Sequence, residues 1–156
     1  MKKLMIVILL AGAGSASAAF PDGTVWSVAS KTCAGRAVAV AGAERVQFAG
    51  GIFAHIFLSS QDLTQYCNKA QVSMRMVQFG TNGTEGYVES GLLRSSRERT
   101  VCRSLEGNTV LSDTSAPFNS VSRSYSLSLG EDKGFLEIDG AAECSDGLLR
   151  FELNKK

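Results

Sequence analysis

One histidine and one tryptophan are all the chain holds of either residue in 156 positions, and no two of its four cysteines lie close together. Each scarcity removes a class of chemistry. A histidine-based metal centre needs further ligands, and none is identifiable around His55. A serine–histidine–carboxylate triad has to pass through that same residue. A four-cysteine zinc site fails on spacing, because Cys33, Cys67, Cys102 and Cys144 are separated by 34, 35 and 42 residues. Such a site needs a close C-x2–4-C pair. No phosphate-binding loop, dinucleotide fingerprint or paired-carboxylate motif is present, so neither a cofactor nor a metal is implied and an enzyme is not expected.

Basic charge is also in short supply. Sixteen Lys and Arg face 15 Asp and Glu, and Lys2 and Lys3 sit at the start of a segment that reads as an address. Those lysines precede an unbroken apolar run, Leu4 to Leu10, and an Ala/Gly/Ser tract ending in Ala16-Ser17-Ala18. This is the layout of a cleaved signal peptide over residues 1–19, bacterial in style, which implies the periplasm or secretion. A membrane anchor is the competing reading, but it needs about 20 apolar residues, and Gly12, Gly14, Ser15 and Ser17 dilute the run. Without the two lysines, 14 basic residues face 15 acidic ones, a charge of −1. A dedicated nucleic-acid binder needs a basic field, so that class is disfavoured. Beyond the leader there is no further candidate membrane segment.

What remains, residues 20–156, has the length of a single domain. Four cysteines in an exported chain read as two disulfides. The walk from Thr24 onward shows short alternating segments separated by turn residues, with almost no helical period. Tyr125, Leu127 and Leu129 alternate with serines; Leu149, Phe151 and Leu153 alternate with polar residues. Gly50-Gly51 allows a bulge or sharp bend, and Thr81-Asn82-Gly83 is the strongest hairpin signal. Ser60 to Lys69 is expected to hold one short helical turn capped by Ser60 or Asp62. Ala34–Ala43 and Ser112–Val121 read as long loops.

Eight or nine strands at such intervals predict an all-β fold, a single antiparallel up-and-down β-barrel of about eight strands. Closing the meander brings the first strand beside the last. Cys33 then meets Cys144, and Cys67 meets Cys102. Gly23-Thr24-Val25-Trp26 on the first strand, with Cys144-Ser145-Asp146-Gly147 leading into the last, resembles a small bacterial lipocalin-like or calycin-type barrel. The resemblance implies that an Arg near the chain's end, with Arg150 in position, packs on Trp26.

Lipocalin-like barrels imply a small apolar or amphipathic ligand, with Trp26, Val28, Ile56, Met74, Met76, Tyr125 and Leu127 as the interior lining. The alternative function is a protein-binding module, such as an inhibitor of an exported hydrolase or a cell-envelope interaction protein, working through the long loops. His55 lies in an apolar strand and reads as a packed or rim residue. Arg97, Arg99 and Arg103 share one strand face by alternation, opposite Thr100 and Cys102. They read as a solvated face, with an anion-binding patch as the functional alternative.

Overall fold

The computed structural model describes residues 21–83, 86–117 and 122–156, except for the side chains of residues 95 and 96. The leader read over residues 1–19 lies outside these. Ten strands are present: β1 (Val25–Cys33), β2 (Arg36–Val38), β3 (Arg45–Ala49), β4 (Ile52–Gln61), β5 (Gln65–Gly83), β6 (Gly86–Ser104), β7 (Val110–Pro117), β8 (Ser122–Leu129), β9 (Lys133–Asp139) and β10 (Leu148–Lys155). No helix occurs among the described residues.

Eight strands close into an antiparallel barrel in the order β1-β3-β4-β5-β6-β8-β9-β10, with β10 returning to β1. Closure pairs Cys33 with Leu149 and Trp26 with Lys155. The architecture is consistent with a calycin-like fold. Strands β8 and β10 show why it forms: Tyr125, Leu127, Leu129, Leu149, Phe151 and Leu153 are all buried, while the serines between the first three are exposed. Burying each such large side chain stabilises the barrel by about 1.5–3 kcal/mol relative to exposure. The disulfides are Cys33–Cys144, across the closure seam, and Cys67–Cys102, between directly opposed residues of β5 and β6. Both pairings follow the meander expectation, and they are compatible with an oxidising compartment.

Four expectations need correction. Ala34–Ala43 is not one long loop, because Arg36–Val38 within it is a strand paired with Lys31–Cys33 of β1. The Ser60–Lys69 helical turn is absent: β4 runs to Gln61 and β5 starts at Gln65. Asp62 caps a tight turn instead, its Oδ1 accepting from the amides of Thr64 and Gln65 at 2.7 and 2.8 Å. Those bonds hold its pKa down to about 2. Gly50-Gly51 forms the turn between β3 and β4, with Gly50 at φ +28°. Ser112–Val121 is not a loop as far as it is described, because Val110–Pro117 is a strand lying on β6. All eight of its residues are exposed, so it carries no apolar alternation to betray it.

The two longest strands define the shape. β5 and β6 each run 19 residues and pair along their whole length. Their hairpin ends at Gly83 opposite Gly86, slightly beyond the expected turn. Gly91 permits the close pairing, since a Cβ there would fall 2.1 Å from the Met76 carbonyl oxygen. β8 follows β6 only from Tyr87 to Arg94, and β3 leaves β4 at Ile56. Beyond those points the outer halves of β5 and β6, the end of β4 and all of β7 continue as a four-stranded arm. Cys67–Cys102 staples its middle pair.

Candidate functional site

Trp26, Val28, Tyr125 and Leu127 face the barrel interior as expected, each less than a tenth exposed. Ile56, Met74 and Met76 do not. Met74 is 54% exposed and Met76 37%, while their neighbours Ser73 and Arg75 take the inward positions. The physical reason is Glu89, fully buried on β6. Arg75 Nε and Nη2 donate to its two carboxylate oxygens at 2.7 and 2.8 Å. Tyr87 donates to the same carboxylate at 2.6 Å, and Tyr125 also donates to it. A buried carboxylate demands such partners, so β5 turns its polar face inward. Burial alone pushes the Glu89 pKa up, but the bonds from Arg75, Tyr125 and Tyr87 outweigh it and hold the carboxyl below its ordinary range. Burial and the adjacent carboxylate push Tyr87 up to about 12.

A second polar network lies toward the open end. His55, 4% exposed, presents Nε2 to Glu44 Oε1 at 2.6 Å. Lys31 Nζ bridges Glu44 Oε1 at 2.9 Å and Glu143 Oε2 at 3.1 Å. Burial raises the Glu44 pKa, yet the bonds from His55 and Lys31 outweigh it and the carboxyl sits low. An ionised carboxylate only accepts, so His55 carries a proton on Nε2. Its Nδ1 stands 3.8 Å from Glu143 Oε1, outside hydrogen-bond range. The rings of Phe57 and Phe151 pack on His55 with centroids at 5.0 Å. His55 is therefore a packed, rim-facing residue.

Above this network is a cavity of about 30 Å³ at the mouth, walled by Phe53, Leu93, Ile138 and Phe151 and edged by Arg97, Arg123 and Glu143. That is space for about two waters. Below it lie the buried inward side chains of Trp26, Val28 and Leu127 and the Glu89 network.

The arginine cluster divides. Arg97 lines the mouth, beside a register shift between β5 and β6, whereas Arg99 and Arg103 line a groove of about 360 Å³ on the outer face of the arm. Arg45 and Ile56 complete that groove. Arg99 is held by Asp113 through Nε at 2.8 Å and a second, shorter contact. Arg150 does not reach Trp26; its guanidinium lies 4.2 Å over Phe135 and binds Glu137 at 2.7 Å. Trp26 donates Nε1–H to Thr24 Oγ1 instead. Cys33, Cys144 and Asp146 lie within ligand distance of one another, but both sulfurs are committed to a disulfide.

Lys31, Glu44, Glu89, Arg75, Arg123 and Glu143 were not singled out from sequence. The usable signal was a charged residue at an inward position of an alternating strand, as with Lys31 in β1 and Glu89 in β6. Comparison with known proteins finds no matching family model, no similar curated protein and no similar solved structure.

Proposed function

We propose that the chain is an exported protein-binding module whose projecting arm takes an extended, acidic segment of another exported protein. The reading rests chiefly on one observation: among the described residues the inward positions are taken by buried side chains and the cavity at the mouth is about 30 Å³, while the sheet continues past the wall to β7, which pairs with β6 on one side only. A lipocalin-style apolar ligand would need room that a 30 Å³ cavity does not offer. The lipocalin-like resemblance then describes the scaffold and not the task.

The geometry of the edge follows from the disulfide. Cys67 and Cys102 have Cα atoms 4.0 Å apart, the spacing of a non-hydrogen-bonded antiparallel pair. The backbone groups of Cys102 therefore point toward β7, and by alternation Ser112, Thr114 and Ala116 bond to β6. Asp113 and Ser115 turn their amides outward. Pro117 falls at an outward position too, where its missing N–H costs no ladder bond. Strand addition at such an edge is a general mode of peptide recognition. Arg45, Arg99 and Arg103 against the single Asp113 make the adjoining groove net basic, which supports an acidic occupant.

The test is an alternating valine–glutamate heptapeptide at low salt, followed by hydrogen exchange. Protection of the Asp113 and Ser115 amides is expected, with loss of binding in Ser115→Pro and weakening in Arg45→Glu/Arg103→Glu. Binding that ignores both changes, or leaves those amides unprotected, removes the proposal.

A further inference from the structure

The mouth carries a separate feature that the arm does not use. Arg97 and Arg123 come from β6 and β8, edge the same cavity, and among the described residues neither has a carboxylate partner. The other mouth charges are one cation and two carboxylates: Lys31 holds both Glu44 and Glu143. Counting Lys31, Arg97 and Arg123 against those two carboxylates leaves one positive charge, His55 set aside. Guanidinium forks suit a planar carboxylate, which they bind in bidentate fashion. The floor below them is apolar, formed by Phe53, Leu93 and Phe151, and has room for about two waters.

We infer that the barrel mouth is a binding site for a carboxylate on a short aliphatic stem, held by Arg97 and Arg123 with the stem against the apolar floor. The space admits a stem of about two or three carbons and excludes a long acyl chain. Glu143 stands at the edge and shares Lys31 with Glu44, so the two guanidiniums have to outweigh the one carboxylate charge left over, and they do. Two sources present this chemistry: a free short-chain acid, or the side chain of an acidic residue in a bound polypeptide. The site stands independently of the arm.

His55 is the only histidine, so its ring resonances report on this mouth alone. At constant ionic strength, butyrate represents the free acid and N-acetylglutamate amide the side chain, with butyramide as the uncharged match. A saturable shift of the His55 ring signals is expected with the acids and not with butyramide. Arg97→Gln and Arg123→Gln should each weaken it about tenfold, as for a lost charge-assisted hydrogen bond. Arg94→Gln, at an exposed position outside the cavity, should not weaken it. The tighter of the two acids identifies the source. An equal shift with butyramide, no saturable shift with either acid, or full affinity in the folded Arg97→Gln/Arg123→Gln variant overturns the site.

Discussion

Glu89 and Glu44 are both carboxylates with side chains wholly removed from solvent, yet they sit in different kinds of surroundings. Glu89 is met by a guanidinium fork and two phenols, all anchored on the rigid walls of β5, β6 and β8. Glu44 precedes β3 and is met by Lys31 and His55, and Lys31 also reaches Glu143 on the β9–β10 loop, which lines the mouth. The first network is closed off by protein groups, Arg75 Nη1 donating to the Gly50 carbonyl of the β3–β4 turn, and it serves the wall. The second ends at a surface where something else can arrive. Burial and charge alone do not separate the two; the route to solvent does.

The largest expected effect comes from breaking the closed network. Glu89→Ala leaves Arg75 as a buried charge without its carboxylate, and loss of about 3–5 kcal/mol is expected in urea unfolding. Glu44→Ala should cost less, about 2 kcal/mol, because Lys31 keeps Glu143. If the two variants lose the same stability, the distinction between closed and open networks fails. Tyr125→Phe removes one donor from a carboxylate that retains three, so about 1–2 kcal/mol is expected from thermal melts.

The gentlest perturbation is pH. Glu89 and Glu44 both have carboxyl groups held below their ordinary value of 4.5. Their contribution is present above that value and is lost as pH falls below it toward the depressed folded values. Tyr87 and Tyr125 move the other way, raised above 10. Their contribution is complete below pH 10 and falls as pH rises past it, because only the unfolded chain then ionises. Urea midpoints should therefore decline on both sides of a neutral plateau. In Glu89→Gln the acid decline should shrink and the alkaline one shift; an unchanged profile would contradict the assignment.

Much of the scaffold was readable from residues, because alternation and cysteine order are local or topological signals. Tyr125-Leu127-Leu129 placed β8, and a closed meander leaves one sensible pairing for Cys33, Cys67, Cys102 and Cys144. The side of a strand that faces inward was less readable. Met74 and Met76 alternate correctly but lie outside, since Arg75 is required by a glutamate 14 residues away. β7 was missed because a strand without a buried face has no period to detect. The mouth was illegible for a related reason: Lys31, Glu44, His55 and Glu143 meet only after closure, the first and the last lying 112 positions apart.

Closure also sets the order of events in folding. Ser27 bonds to the Asn154 carbonyl across 127 positions, so the first strand, paired early with β3 on one side, waits for β10 to cover the other. Until then β1 and β9 are bare edges, and bare edges invite pairing between molecules. High contact order makes such a chain a slow folder. Shortening it by the eight residues of β10 would remove little mass but would leave an open, adhesive sheet in place of a sealed wall.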